Sequence, residues 1–527
     1  MKLRHIFISV LFALFYLGCG SSDSYSVPTD TGLRPTNPSS SADNASPTAS
    51  VIPSKEALPS DIGVVAGSDH EDDSFGIEAS NAYEESYTEV SESGFVSATS
   101  NPLSTFSIDV DTASYSNIRR HLNNGSLPPK DAVRIEEMIN YFDYDLPNDT
   151  DTIKIFSEVG TPLWNNENRL VQILLKAKDI DPLLLPGSNL TFLIDVSGSM
   201  SDDLHMVRSS LSLLVLNLTK QDFVSIVTYA GSAKLLLPST RVTQANRNKI
   251  IKEIENIEFS GGTAGERGIE IAYAQAKESF ITDGNNRVVM VTDGDFNVGY
   301  TQTKDLGDFI ASKAKDNIFL TIAGVGTGNY RDDLIESLTN QGNGNYFYLD
   351  SLTEAKKVFS QDLTATLHTI AKDTKVQIEF NNDLVAKYRL IGYENRRLAK
   401  EDFADDTKDA GEMGVGDEVV AFYELELQPN SSNDGKLLTV NVRYKEPTGT
   451  TSKALSEDVY LTNHNASDEF TFGMCVVAFG MKLGESRYTN HEYMDIVTLA
   501  KGAKGDDVFG YREEFIELVE KANKILK

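Results

Sequence analysis

The sequence predicts an α/β fold with a doubly wound, mostly parallel sheet that has helices on both faces, flanked by a β-sandwich and a C-terminal helical segment. Short apolar strands alternate with amphipathic helices over residues 188–372, and this alternation is typical of a doubly wound domain. Several of these strands are continuous apolar runs, as is typical of strands buried on both faces. Strand-like runs stand on both sides of this domain, and three helical segments end the chain.

Periodicity defines the individual elements. In the central domain, apolar runs predict strands at 190–194, 223–229, 234–237, 287–291, 318–325 and 345–349. Apolar residues at helical spacing predict helices at 204–218, 244–257, 264–280, 303–315, 331–338 and 353–370. Outside that domain, the predicted strands are 106–111, 153–159, 169–176, 374–379, 386–393, 418–428 and 436–445. The predicted outer helices are 114–121, a helix around 133–142, 468–482, 490–501 and 511–527.

The predicted domain order has five parts. Residues 1–19 are a signal segment, and residues 20–100 are rich in Ser, Thr, Asn, Asp and Pro, which predicts a disordered tether. Residues 101–187 form an N-terminal extension with helices and strands, 188–372 the central domain, and 373–527 a domain of strands followed by helices. Because strand runs occur on both sides of the central domain, we predict that it is inserted into a β-sandwich built from its two flanks.

Composition limits the classes of ligand. The 527 residues allow two or three domains, and a hydrophobic content of 40% supports a large core. Acidic residues outnumber basic residues by 78 to 48, a formal net charge of -30. Such a surface repels phosphate backbones, which disfavours nucleic acid as a ligand and favours cations. The two cysteines, Cys19 and Cys475, indicate neither a disulfide framework nor a thiolate zinc site, and the apolar surroundings of Cys475 predict a buried thiol.

Residues 1–19 resemble the export signal of a bacterial lipoprotein. A short basic start and the apolar run Ile6–Leu17, too short to span a bilayer, end at Leu17-Gly-Cys19-Gly. This ending resembles a lipobox, although Tyr16 stands where the pattern prefers leucine. The resemblance implies that Cys19 is lipidated and anchors an exported protein in the cell envelope, with the outer membrane or the periplasmic face favoured. The alternative is an ordinary cleaved signal in which Cys19 has no role.

Oxygen-bearing side chains follow two of the central strands. Asp195-Val-Ser197-Gly-Ser199 ends the first strand, Val-Thr-Asp293-Gly ends the fourth, and Ser-Gly-Gly-Thr263 precedes a helix. Ligands of open α/β sheets bind at the carboxyl ends of the strands. Carboxylates and hydroxyls are hard ligands that suit Mg²⁺, Ca²⁺ or Mn²⁺. These segments therefore predict a site for a divalent cation.

Asp195-x-Ser197-x-Ser199, then Thr263, then Asp293, in this order on these elements, resemble the metal-ion-dependent adhesion site of von Willebrand factor type A domains. The resemblance covers about residues 188–370. It implies that Ser197, Ser199 and Thr263 coordinate the metal directly, and that Asp195 and Asp293 do so directly or through water. It also implies an open sixth position, commonly filled by a carboxylate of a protein partner. Mg²⁺ is the expected cation, with Ca²⁺ or Mn²⁺ possible, and the alternative is a degenerate domain that binds no metal.

The flanks resemble a group of bacterial von Willebrand type A lipoproteins whose molecular role is poorly defined. The stretch Phe106–Tyr115, the pair Arg119-Arg120 and the helix 133–137 resemble the N-terminal extension of that group. The tail after Lys372 resembles its uncharacterised C-terminal domain. The resemblance therefore names relatives without naming an activity.

Two further acidic motifs resemble metal-binding sequences. Asp109 and Asp111 alternate with hydroxyl residues and suggest a second metal site, but we favour a structural role in which these side chains cap the next helix. The run that starts at Asp293 mimics an EF-hand loop, yet Val298 and Lys304 stand where the loop requires Gly and Glu, so this interpretation fails.

Together these features predict an envelope-anchored, adhesion-type module that uses a divalent cation to capture a carboxylate of a protein partner. The alternative is a structural scaffold of an envelope assembly in which the metal site is incidental. We expect no enzyme, because no activated nucleophile or acid–base pair stands out beyond the metal motif. We expect no nucleotide ligand either, because no phosphate-binding loop appears.

Overall fold

The computed structural model describes residues 85–260, 265–294, 303–328, 330–429, 434–461 and 466–527. The predicted signal segment with Cys19, and the predicted tether up to residue 84, lie outside the described residues. Residues 85–100 contradict the tether prediction, because residues 96–97 pair with a strand of the folded body and Ser86 forms a backbone bridge with Arg331. Apolar side chains explain the difference, since Ala98 is fully buried and Phe95 packs against Tyr488.

The strands of the described residues, in chain order, are β1 (Val96–Ser97), β2 (Leu103–Ser107), β3 (Ile153–Gly160), β4 (Arg169–Ala177), β5 (Ser188–Asp195), β6 (Phe223–Tyr229), β7 (Ala233–Arg241), β8 (Asn285–Thr292), β9 (Phe319–Gly324), β10 (Tyr346–Tyr348), β11 (Thr369–Phe380), β12 (Val385–Ile391), β13 (Arg397–Leu398), β14 (Gly411–Gly414), β15 (Glu418–Leu427), β16 (Gly435–Lys445) and β17 (Lys453–Leu461). The α-helices of the same residues are α1 (Ala113–Asn123), α2 (Ile135–Ile139), α3 (Leu204–Asn217), α4 (Gln244–Glu255), α5 (Gly265–Glu278), α6 (Thr303–Lys315), α7 (Asp332–Gln341), α8 (Leu352–Lys356), α9 (Leu363–Leu367), α10 (Asp468–Leu483), α11 (Tyr493–Gly502) and α12 (Tyr511–Ile525).

The central domain has the predicted doubly wound fold. Its sheet runs in the order β10-β9-β8-β5-β6-β7, and every pairing is parallel except that of β7 with β6. All residues of β5 and β8 are buried. Phe192 packs into the core shared with α3 and α4, whereas its neighbour Leu193 packs into the core shared with α5 and α6. Burial on both faces explains why these strands are continuous apolar runs.

The two flanks of the central domain build one β-sandwich, as the insertion hypothesis expected. One sheet has the order β1-β12-β15-β4-β3, and the other has the order β13-β2-β11-β16-β17, with β14 paired to β11. Each sheet therefore combines strands from before and after the central domain. Phe106, Val171, Ile378 and Tyr423 belong to a single core between the two sheets.

A helical layer covers the outer face of the first sheet. Leu170 and Phe422 point away from the sandwich core and pack with α1, α2 and the C-terminal helices α10–α12. Cys475 of α10 is buried in this layer, in agreement with the predicted buried thiol, and burial raises the pKa of the thiol to about 12. Within the residues that the structure describes, no helix combines the length and apolarity needed to cross a membrane.

Several regions differ from the predicted elements. The predicted helix 353–370 is divided into α8, a π-helical turn (Lys357–Gln361) and α9, and β11 begins at Thr369 rather than at residue 374. Strands β13, β14 and β17 were not predicted, and the longest of these is β17. It is an edge strand with mostly exposed side chains, so its sequence carries little of the apolar pattern on which strand prediction depends.

Candidate metal centre

The parallel register brings the two predicted carboxylate segments to the same edge of the sheet. Ile194 of β5 pairs with Val291 of β8, so Asp195 lies beside Thr292 where the two strands end. Asp293 follows Thr292 directly, at the start of the next loop. The sequence therefore places both carboxylates at the carboxyl edge, as expected for a ligand site of an open sheet.

The loop after β5 gathers the carboxylate and the two serine hydroxyls. Asp195 is fully buried, and its Oδ1 accepts a hydrogen bond of 2.8 Å from the backbone N–H of Ser197. The hydroxyl oxygens of Ser197 and Ser199 lie 3.1 Å apart. Ser197 is 5% exposed, whereas Ser199 is exposed, in the 3₁₀ turn that follows. The three side chains thus form a pocket of oxygen atoms that opens to solvent at Ser199.

Thr292 connects the two carboxylate segments, a role that the sequence did not suggest. It is fully buried, its hydroxyl donates to Asp195 Oδ2 at 3.4 Å, and the same hydroxyl accepts from the N–H of Gly294 at 3.1 Å. The hydroxyl therefore orients Asp195 and fixes the backbone on both sides of Asp293. The only available signal was its place immediately before Asp293 at a strand end.

Several carboxylates share this edge and repel one another. Burial, assisted by the charge of Asp293, raises the pKa of Asp195 to about 6, against the hydrogen bonds from Ser197 and Tyr229 that lower it. Burial and the charges of Asp202 and Asp293 also raise the pKa of Asp203, which sequence reasoning missed. A positive ion would relieve this repulsion.

Thr263 lies outside the described residues, but its described neighbour Ser260 contacts the metal motif. The backbone N–H of Ser260 donates to the carbonyl of Val196 at 2.7 Å, which holds this end of the Ser260–Thr263 segment beside Asp195 and Ser197. The structure therefore brings four of the five predicted site residues to one edge: Asp195, Ser197, Ser199 and Asp293.

The donor set fits a divalent cation of the magnesium type. The described donors are carboxylate and hydroxyl oxygens, which Mg²⁺, Ca²⁺ and Mn²⁺ prefer. The residues that would hold such an ion are Ser197, Ser199, Asp195 and Asp293, together with Thr263 on the family pattern.

A second group of carboxylates, not foreseen from the sequence, lies in the sandwich. Ligand oxygens of Asp373, Asp409 and Glu412 lie within 4.8 Å of one another. Asp373 already pairs with the ammonium group of Lys445 at 2.5 Å. This group belongs to β11, β14 and the segment before β14, so it is separate from the strand ends that carry Asp195 and Asp293.

Asp109 and Asp111 have a structural role, although not the predicted one. Both carboxylates pair with Arg396, at 2.8 and 3.3 Å, and Asp111 also accepts from the backbone N–H of Tyr346 in the central domain at 2.7 Å. The residue before α1 is Thr112, and its side chain makes no capping hydrogen bond. The capping prediction is wrong because the aspartates instead bind a distant arginine and strand β10.

Family sequence models match three consecutive parts of the chain. The von Willebrand factor type A domain matches residues 189–361, a model described as von Willebrand factor matches residues 81–172, and the C-terminal model of the uncharacterized protein YfbK matches residues 365–525. The fold, the strand-end oxygens and these matches define a protein built around a von Willebrand factor type A domain. Such domains are in general metal-dependent protein-interaction modules.

The chain is 40% identical over 455 residues to the uncharacterized protein YfbK of Escherichia coli (strain K12), covering 81% of this chain and 79% of that protein. The chain therefore belongs to the YfbK family. It is also 27% identical over 206 residues to the uncharacterized protein sll0103 of Synechocystis sp., covering 39% of this chain and 47% of that protein. The solved von Willebrand factor type A structure from Catenulispora acidiphila aligns with a TM-score of 0.42 and 12% identity, covering 70% of this chain and 91% of that one.

Proposed function

We propose that the protein is an envelope-anchored binding module that captures a carboxylate of a protein partner at a divalent cation, Mg²⁺ foremost. The observation that carries this proposal is the pair of hydroxyls of Ser197 and Ser199, 3.1 Å apart beside a fully buried Asp195. When bound there, a divalent cation supplies a strong, directional positive charge for a carboxylate ligand.

Each residue of the site would have a distinct role in binding the cation. Asp195 and Asp293 supply the negative charge that favours a cation, and Thr292 keeps Asp195 in place. Ser197 and Ser199 supply neutral oxygens, so they add no further negative charge that would repel an acidic partner. Ser199 is exposed, so this side of the site is open to a protein surface. We propose no catalytic role for these groups.

Capture of envelope proteins with and without metal tests the proposal. We expect the immobilised full chain to retain a defined partner from solubilised membranes in Mg²⁺ and to release that partner in EDTA. The variant Asp195→Ala should retain no partner in either condition, because the site can no longer hold the ion. Equal retention by the wild type in Mg²⁺ and in EDTA would contradict metal-dependent capture and would favour a scaffold in which the metal is incidental.

We further propose that the protein is exported and that lipidation of Cys19 anchors it to the envelope, at the outer membrane or the periplasmic face. Support comes from the Leu17-Gly-Cys19-Gly ending of the apolar run. We expect cells to incorporate labelled palmitate into the wild-type protein, and the variant Cys19→Ser to lose both the label and its place in the membrane fraction. A wild-type protein that carries no label would refute the anchor and leave the metal site unaffected.

A further inference from the structure

The first described residues of the chain form a strap, residues 85–87, that reaches the metal-bearing edge of the central domain. The Glu85 carboxylate accepts hydrogen bonds from both terminal nitrogens of Arg120 at 2.8 and 2.7 Å and from the Tyr87 hydroxyl at 2.6 Å. It also accepts from the backbone N–H of Gly328 at 3.1 Å. Glu85 therefore joins helix α1 of the extension to the loop that follows β9.

That loop, residues 325–328 and here called the rim loop, lies directly against Asp293. Gly326 adopts a φ of +84°, and a Cβ at this position would lie 3.2 Å from the Cβ of Asp293 and 3.3 Å from Oδ2 of Asp203. The backbone N–H of Val325 donates to the carbonyl of Thr292 at 3.0 Å. A shift of the rim loop would therefore move the backbone on which Asp293 rests.

The strap also holds the other side of the Asp293 segment. The backbone N–H of Ser86 donates to the carbonyl of Tyr330 at 2.9 Å, and the carbonyl of Ser86 accepts from the backbone N–H of Asp333 at 3.2 Å. Between these two contacts lies Arg331, whose backbone nitrogen would be only 2.9 Å from a Cβ placed on Gly294. Gly294 directly follows Asp293. The strap therefore contacts both the rim loop and the segment around Arg331, and each of these packs against the backbone near Asp293.

Arg120 holds the Glu85 carboxylate in place. The side chains of Arg120 and Glu85 are 10% and 13% exposed, and the guanidinium group also lies over the ring of Tyr348 at 5.3 Å. The hydroxyl of Tyr348 in turn donates to the carbonyl of Gly326 in the rim loop. Charge-assisted, bidentate hydrogen bonds of this kind are among the stronger polar contacts in proteins and fix geometry as well as distance.

We propose that Glu85 is a positioning residue for the metal centre: held by Arg120, it fixes the rim loop behind Asp293, so that the N-terminal extension sets the affinity of the site for its cation. This inference rests on the proposed metal-binding function. Residues that hold metal ligands from behind commonly change affinity by about 10- to 100-fold when they are removed.

Titration of the full chain with Mg²⁺ alone, followed calorimetrically, tests the inference. We expect Glu85→Ala to weaken Mg²⁺ binding by about tenfold or more. Glu85→Gln keeps an acceptor for the Gly328 N–H while losing the charge, so its loss should be smaller. Faster hydrogen exchange at the amides of residues 326–328 in Glu85→Ala would report the freed rim loop, which a general loss of stability would not single out.

Glu418→Ala is the matched control. Glu418 also accepts from a cation and a backbone amide, Lys176 Nζ at 3.0 Å and the Tyr144 N–H at 2.7 Å, but it lies in the sandwich. We expect this variant to bind Mg²⁺ as the wild type does. Wild-type affinity in Glu85→Ala, or an equal loss in Glu418→Ala, would overturn the positioning role while leaving the site intact. Absence of Mg²⁺ binding by the wild type would instead overturn the proposed function itself, and the positioning role with it.

Discussion

Replacing Asp195 by Asn is expected to make the metal-free protein more stable and, at the same time, insensitive to Mg²⁺. Asp195 is fully buried, and its pKa is raised from the ordinary 3.8 to about 6 by burial and by the charge of Asp293. A carboxyl group whose pKa is raised on folding opposes folding once it is ionised, at about 1.4 kcal/mol for each pH unit of the shift. A neutral Asn of the same shape removes this opposition.

The raised pKa of Asp195 also determines how the difference in stability between the wild type and Asp195→Asn changes with pH. In EDTA, wild type and Asp195→Asn should be equally stable near pH 3, where the carboxyl group is protonated in both the folded and the unfolded chain. The wild type should then lose stability relative to the variant between about pH 4 and pH 6, and the gap should stay constant above that range. Urea denaturation at a series of pH values measures this difference in the free energy of unfolding.

Mg²⁺ should close most of the gap in stability between the wild type and Asp195→Asn. An ion that binds only the folded protein stabilises it by about 2.7 kcal/mol when present at 100 times its dissociation constant. We expect this gain in the wild type and none in Asp195→Asn. Asp316→Asn, a change at a carboxylate that is 53% exposed in the same domain, should respond to Mg²⁺ as the wild type does. A wild type that melts identically in Mg²⁺ and EDTA would argue for a degenerate site.

The second large effect is expected at Arg134, which joins the extension to the central domain. Its side chain is 3% exposed and contacts Glu137 of α2 together with Asp332, at 2.6 Å, and Glu336 of α7, at 3.7 Å. Arg134→Met would leave these buried carboxylates without their cation. The loss of one member of a buried ion pair commonly lowers the free energy of unfolding by about 3–5 kcal/mol.

Chemical denaturation of Arg134→Met in EDTA checks this value separately from metal binding. Lys387→Met is the control, because Lys387 pairs with Glu426 at 2.7 Å but the two side chains are 50% and 34% exposed. An exposed pair of this kind contributes roughly 0–1 kcal/mol. If Arg134→Met proved no more harmful than Lys387→Met, the cluster around Arg134 would not hold the two parts together.

The sequence predicted those parts of the fold that local patterns specify. Strand β6 and helix α6 were predicted with their observed bounds, because buried strands and amphipathic helices have strong periodicity. The Asp195 motif was placed correctly at the end of β5, because the apolar run of that strand shows where the strand ends. Edge strand β17 was missed because its residues carry no such pattern. The π-helical turn before α9 was predicted as part of one helix, because apolar spacing does not distinguish it from an α-helical turn.

Long-range polar contacts could not be read from one sequence. The pair Arg119-Arg120 was noted only as a resemblance, yet Arg119 binds Asp350 and Glu354 of the central domain at 2.6 and 2.7 Å, and Arg120 binds Glu85. These partners lie far apart in the chain or in a segment predicted as tether. Nothing in local spacing indicates such pairing, so the role of the extension became visible only in three dimensions.

Anomalous diffraction from crystals of the full chain soaked in Mn²⁺ tests the central claim most directly. We predict a peak enclosed by the hydroxyls of Ser197, Ser199 and Thr263, with the carboxylates of Asp195 and Asp293 beside it. No peak at this edge of the central sheet, or one found instead among Asp373, Asp409 and Glu412 of the sandwich, would contradict a metal-dependent adhesion site.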